Sequence, residues 1–234
     1  MLDPTAQIAQ NVAGIRDRID RAARRCGRGG EDVTLVAVTK YVTPPEIRAV
    51  VEAGCTDLGE SRPQQLWQRA EAEPNAAVRW HLIGHLQRNK VRRTLPAVAM
   101  IQSVDTPRLV EAVDRIAEEL SLSVPILLEV NVSQEPAKHG FSPDAVEPFL
   151  ARAAGLRSVQ IRGLMCMARL GGGSESARED FARLRKLRDR LDDVCPESIS
   201  LDELSMGMSG DYEVAIEEGA TIVRVGSALF EGAL

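Results

Sequence analysis

The feature that most constrains this chain is a repeated alternation: eight short β-branched or apolar runs, each separated from the next by a segment of helical periodicity, with no long linker anywhere. Residues 33–40 (VTLVAVTK), 55–60 (CTDLGE), 79–84 (RWHLIG), 98–104 (VAMIQSV), 125–132 (PILLEVNV), 159–165 (VQIRGLM), 200–206 (SLDELSM) and 221–226 (TIVRVG) read as strands. Between them the pattern predicts helices from Pro44 through Val51, from Arg62, and over 87–95, 107–121, 143–153, 175–194 and 212–218. Pro44-Pro45 and Pro107 supply first-turn prolines, and Gly54 closes the first of these helices. Ahead of the first run, Ile8, Val12, Ile15 and Ile19 recur at helical spacing behind Asp3 and Pro4, which adds an N-terminal helix ending near Gly27.

Strand–helix alternation repeated eight times predicts an α/β fold, a (β/α)8 TIM barrel with one extra N-terminal helix, forming a single domain over residues 1–234. A doubly wound open sheet is the alternative. Against it, no G-x-G-x-x-G turn follows the first run and no P-loop occurs. The stretch Gly171, Gly172, Gly173, Ser174 reads as a flexible loop.

Composition narrows the function. With 29 basic against 34 acidic side chains the net charge is −5, which disfavours a polyanionic partner, and aromatic residues at 3% leave little material for stacking bases. Nucleic acid is therefore not an expected ligand. Cys26, Cys55, Cys166 and Cys195 are widely and irregularly spaced, without a C-x-x-C pair, so neither a zinc nor a disulfide framework is expected. No uncharged apolar run approaches the ~18 residues of a spanning helix, and the N-terminus lacks a signal-peptide layout. A cytoplasmic chain without membrane or metal is the expectation.

Chemistry on a barrel of this kind sits at the carboxyl ends of the strands. Polar groups stand there: Lys40, Glu60, His85, Asn131, Ser205 and Arg224. Lys40 shares its parity with Val36 and Val38, so it emerges from a buried face. A desolvated lysine amine is a nucleophile toward aldehydes, although a strand-end lysine can equally snorkel to water. Arg224 alternates with Ile222 and Gly226, and such a charge needs either an anionic or accepting ligand or an ion pair with Glu60 or Glu129. Gly207, Ser209 and Gly210 follow the seventh run, while Gly226 and Ser227 follow the eighth. Barrels often bind phosphate after those two strands, and ordinary helix caps use the same residue types. His81, His85 and His139 have no metal-ligand or triad spacing and read as packed or surface histidines.

The blocks LVAVTK, LGESRPQQL, WHLIGHLQRNK, RGLMCMA, LSMGMSGDYEVAI and VRVGSALF together resemble the pyridoxal-phosphate homeostasis proteins of the YggS/PROSC family, from about the first helix to the last residues. The resemblance implies a barrel similar to the N-terminal domain of alanine racemase, with pyridoxal 5′-phosphate (PLP) held as a reversible Schiff base on Lys40. It further implies a phosphate near Ser209, Gly226 and Ser227, and Arg224 close to the pyridine nitrogen. Where the family motif reads G-E-N, this chain has Gly59, Glu60 and Ser61, so Ser61 either meets the cofactor or begins an S-x-x-Q capping box with Gln64.

An arginine at the ring nitrogen keeps its proton and weakens the electron sink, and the chain reaches Leu234 without an evident second base. The expectation is a PLP carrier with no catalytic residue, monomeric or weakly dimeric, serving apo PLP-dependent enzymes. The alternatives are a PLP-dependent amino-acid racemase or lyase, and a cofactor-free aldolase using Lys40.

Overall fold

A computed structural model describes residues 3–72, 74–169, 171–196 and 198–234. Eight strands close into a barrel in chain order, every neighbouring pair parallel: β1 Thr34–Val38, β2 Asp57–Glu60, β3 Arg79–Leu82, β4 Met100–Val104, β5 Val124–Glu129, β6 Val159–Met165, β7 Glu203–Ser205 and β8 Ile222–Val225. The helices are α1 Pro4–Arg25, α2 Pro44–Glu52, α3 Pro63–Ala72, α4 Val91–Thr94, α5 Pro107–Glu119, α6 Pro143–Ala153, α7 Gly173–Asp192 and α8 Tyr212–Glu217. The alternation in the sequence thus becomes the expected TIM barrel.

The N-terminal helix covers the barrel seam. After β8 the chain makes a 3-10 turn, Ser227–Leu229, beside the β8–β1 junction. Helix α1 packs against α2, α8 and that turn, burying Ile8, Val12, Ile15 and Ile19. Asn11 Nδ2 donates to the carbonyls of Leu229 (3.1 Å) and Glu231 (2.9 Å), tying the end of the chain to this helix.

Strand alternation sorts the core into two shells. Leu35, Leu58, Leu82, Ile101, Ile126, Leu128, Leu164 and Val223 face the helices. Val36, Leu127, Met165 and Ile222 form a separate small cluster with Met100 inside the barrel. Where β6 meets β7, no side chain fits: a Cβ on Gly163 would collide with the carbonyl oxygen of Glu203.

Most observed strands are shorter than the sequence runs, some at the amino end and others, β1, β3 and β5 above all, at the carboxyl end. Thr39, Lys40, Ile83, Gly84, Val130 and Asn131 leave the strands there and enter the loops that form the barrel mouth. The expected helix over 87–95 is instead a 3-10 turn, the single-turn α4 and a second 3-10 turn. Pro96 has no N–H to offer the carbonyl of Arg92, so the helix cannot continue.

Candidate functional site

At the mouth, Lys40 lies two residues beyond β1 and is half-buried, its Nζ 5.0 Å from the ring centroid of the exposed Tyr41. The segment carrying it is held from outside the barrel. Arg69 of α3 donates from Nη1 to the Thr39 carbonyl (2.7 Å) and from Nη2 to the Val42 carbonyl (2.8 Å), bracketing Lys40. The same guanidinium pairs with the fully buried Glu60, which also accepts from Thr39 Oγ1 at 2.6 Å. Glu60 therefore faces α3 and is neither a mouth residue nor the partner of Arg224. Its parity explains why: Gly59, not Glu60, shares the inner face with Val36, which a Cβ there would meet at 2.9 Å.

Arg224 points into the barrel and is 4% exposed. No ion pair holds it among the described residues. Instead Nη1 donates to Ser205 Oγ and Nη2 to the Cys166 carbonyl at 2.9 Å. Ser205 Oγ donates to Gln102 Oε1 (2.7 Å), Gln102 Nε2 approaches His81 Nδ1 (2.9 Å), and His81 Nε2 approaches Asp57 Oδ1 (2.8 Å). Arg79 closes the chain on Asp57 Oδ2 at 2.5 Å. The hydrogen bonds all run in one sense if Gln102 donates to His81 and His81 donates to Asp57, so the chain runs from a buried cation to a carboxylate. Burial alone would lift the Asp57 carboxyl, but the hydrogen bonds from His81 and Arg79 bring it below its ordinary value. His81 is thus a satisfied core histidine, as its sequence context suggests. Burial pushes the Cys166 thiol up to about 12, which disfavours the thiolate.

Beside Arg224, the loops after β7 and β8 meet: the Gly226 N–H donates to Ser209 Oγ at 3.1 Å. Ser209 is half-buried and Ser227 exposed. Gly207 makes the first of these loops possible, with φ at +93° and a virtual Cβ only 2.6 Å from that of Ala215. Because β7, β8 and β1 are neighbours in the closed barrel, Ser209, Gly226, Ser227, Arg224 and Lys40 all stand at three adjoining strand ends.

Ser61 lies just past β2 and is half-buried. Helix α3 begins at Pro63, and its first bonds run from Gln65 and Leu66 to the Arg62 carbonyl, so Ser61 stands one residue before the cap. A capping box from Ser61 to Gln64 is out of register with that start. Asn131 also differs from expectation: its Nδ2 donates to the Glu135 carbonyl at 2.8 Å, and its Oδ1 accepts from the Glu135 N–H at 3.3 Å, organising its own loop.

Two further groups stand at this mouth, one that the sequence offers only as an ion-pair partner of Arg224 and one that it does not offer at all. Glu129, on the same strand face as Leu127, ends β5 inside the barrel, and its carboxyl is raised to about 7 by burial and by nearby Asp105, against opposing contributions from Arg224 and His85. Asp105, just past β4, is buried and hydrogen-bonded to His85 Nδ1 at 2.8 Å. Parity with Leu127 is the available signal for Glu129. Asp105 carries none, because its partners come from other loops.

A closed parallel barrel with a lysine after β1 and a buried arginine on β8 defines the class, and the sequence profile described as "Alanine racemase, N-terminal domain" matches residues 10–233. A "Pyridoxal phosphate homeostasis protein" of Aquifex aeolicus (strain VF5) is 37% identical over 221 residues, spanning 94% of this chain and 96% of that protein. The chain belongs to the family of pyridoxal phosphate homeostasis proteins. Among solved structures, PipY of Synechococcus elongatus PCC7942 is 36% identical, covering 95% of this chain and 99% of its own, with a TM-score of 0.87 without PLP and 0.83 with PLP bound. Alanine racemase of Clostridium difficile 630 shares the fold, with a TM-score of 0.74 at 12% identity over 94% of this chain and 56% of the racemase.

Proposed function

We propose that this chain binds PLP at the barrel mouth through Lys40 and serves intracellular PLP homeostasis, holding the cofactor in a masked, releasable form for apo PLP-dependent enzymes. The observation that carries this reading is the meeting of three complementary groups on contiguous strand ends: an amine after β1, a buried guanidinium on β8, and the Ser209–Gly226 loop pair. The names of the relatives and the PLP-bound PipY structure support it.

The residues fit the cofactor chemically. PLP supplies an aldehyde carbon that a lysine amine takes up reversibly with loss of water, together with a pyridine nitrogen and a phosphate. Lys40, half-buried on a segment clamped by Arg69, is the amine. Arg224 uses two of its five N–H donors on Ser205 and Cys166, leaving donors for an accepting ring nitrogen. Since a guanidinium keeps its protons, that nitrogen stays unprotonated and the ring withdraws electrons poorly. Ser209, Gly226 and Ser227 offer hydroxyls and backbone N–H groups to the phosphate, and Ser61 stands at the rim where it can touch the ligand. This arrangement favours retention over turnover, and the family resemblance adds a carrier acting as a monomer or weak dimer.

The deciding experiment adds PLP to the purified chain, follows the visible absorbance band, then reduces with borohydride and maps the adduct by mass spectrometry. A pyridoxyl mass on the Lys40 peptide, absent from Lys40→Ala, is expected, with no turnover of any amino acid tested. An adduct on another lysine overturns the site, and steady racemisation or cleavage of an amino acid overturns the carrier reading.

A further inference from the structure

On the β3–β5 arc of the same mouth, two histidines from two loops converge on one carboxylate oxygen of Asp105 from a third. His85 follows β3, Asp105 follows β4, and His139 lies in the loop between β5 and α6. The two imidazoles stack with centroids 4.7 Å apart and planes 19° from parallel. Both present Nδ1 to the same atom: His85 Nδ1 is 2.8 Å, and His139 Nδ1 3.7 Å, from Asp105 Oδ2. A ligand atom from each of the three lies within 4.8 Å of the other two.

A hydrogen bond accounts for His85 and Asp105 but not for His139. At 3.7 Å its nitrogen is too far to bond and its side chain is 66% exposed, so the stack on His85 is the contact that holds the ring beside Asp105. Two imidazoles aimed at one buried carboxylate are what a cation between them would require. A metal with ligand bonds of about 2.0–2.2 Å in tetrahedral geometry puts its ligand atoms roughly 3.3 Å apart. The observed 2.8 and 3.7 Å lie either side of that value, and binding requires the two rings to turn out of their stack so that both Nδ1 lone pairs meet the ion.

We infer that His85, Asp105 and His139 form a binding site for a divalent transition-metal ion of the zinc type. Two imidazoles and one carboxylate suit zinc and its first-row neighbours better than calcium or magnesium, which take oxygen ligands, or Cu(I), which takes sulfur. Three protein ligands leave a position open toward a surface depression also lined by Gln87, Arg88, Thr106 and Arg108. The guanidiniums of Arg88 and Arg108 oppose a bare dication, so the open position takes an anion or hydroxide, which with Asp105 balances the ion's charge. Sequence spacing could not show this site, since its ligands are 20 and 34 positions apart and meet only when the barrel closes.

The test uses the full-length, untagged chain after EDTA treatment, titrated with Zn2+ against a chromophoric chelator and separately with Co2+. One Zn2+ per chain is expected, along with the visible absorption of four-coordinate Co2+ and no near-ultraviolet thiolate band. His139→Ala removes an exposed loop side chain and is expected to keep its thermal midpoint in EDTA while binding Zn2+ at least about tenfold more weakly. Asp105→Asn is expected to do the same or worse. Absence of stoichiometric Zn2+ binding, unchanged affinity in His139→Ala, or a thiolate band placing the ion on Cys26 overturns the proposal. None of these outcomes depends on the PLP reading.

Discussion

Arg224 is anchored to the hydroxyl of Ser205 and not to a carboxylate, at a position where the barrel buries both. A buried guanidinium bonded to neutral groups keeps both donors and an uncompensated charge for a ligand, whereas a close ion pair would offset that charge. Ser205 in turn donates to Gln102, so its hydroxyl aligns the head of a chain that ends at Asp57. In Ser205→Ala both neighbours lose a buried partner, for a stability cost of about 2 kcal/mol. PLP affinity is expected to fall roughly tenfold, equivalent to about 1.4 kcal/mol. Ser205→Thr keeps the hydroxyl and restores binding. Equal PLP affinity in wild type and Ser205→Ala, by spectroscopic titration, would show that the chain does not position Arg224.

Arg69 governs Lys40 from the opposite side of the sheet. Its removal frees the carbonyls on both sides of Lys40 and leaves Glu60 buried, already carrying one oxygen, Oε2, without a hydrogen-bond partner. Breaking a buried pair from one side typically costs about 3–5 kcal/mol. Arg69→Met is expected to lose stability on that scale and to load PLP more slowly. Arg69→Met combined with Glu60→Gln should recover much of the stability without recovering the loading rate, because the segment remains unclamped. Stopped-flow absorbance and urea denaturation separate the two effects.

How much of this could be read from the chain depends on whether a contact obeys strand parity. Lys40 and Arg224 share parity with Val36 and Ile222, both in the inner cluster, so their placement at the mouth is legible. The same rule applied to Leu127 exposes Glu129, which the sequence otherwise offers only as an ion-pair partner. The relay is not legible, because Gln102 on β4 reaches Ser205 on β7 across the barrel, 103 positions away and on a strand that is not its neighbour. Helix α1 is recognisable as a helix from its periodicity, but its packing against α2, α8 and the turn after β8 joins segments far apart in the chain and is not legible there.

Two glycines separate scaffold from site. At Gly226 a new Cβ would sit 3.4 Å from Val38 Cβ, an ordinary contact, and φ is −122°. Gly226→Ala, with room for the new methyl, is expected to keep the fold, yet crowd the backbone where the phosphate is proposed to lie and weaken PLP binding severalfold. Gly163→Ala, colliding with the Glu203 carbonyl, should separate β6 from β7 and leave little folded protein. Circular dichroism melts and PLP titration of the two variants measure this contrast. Intact PLP affinity in Gly226→Ala would move the phosphate elsewhere.

Glu129 makes stability depend on pH in a direction opposite to most carboxylates. Burial, joined by Asp105, raises its folded value to about 7, whereas in the unfolded chain it ionises near the ordinary 4.5. Between those values the native state holds a proton that the unfolded state has released, so this contribution is complete below about pH 4.5 and is lost as pH rises to 7. The magnitude is on the order of 3 kcal/mol at full effect. Asp57, lowered by His81 and Arg79 despite its burial, acts in reverse, losing its contribution only as the solution becomes acidic. Glu129→Gln holds a neutral side chain at every pH and should remove the decline between pH 5 and 7 while leaving the acid limb in place. Urea denaturation of both proteins at pH 5, 6, 7 and 8 gives the difference directly. Because Asp105, His85 and Arg224 are common to the two proteins, parallel curves across that range would mean that Glu129 ionises normally and that its place in the barrel is solvated.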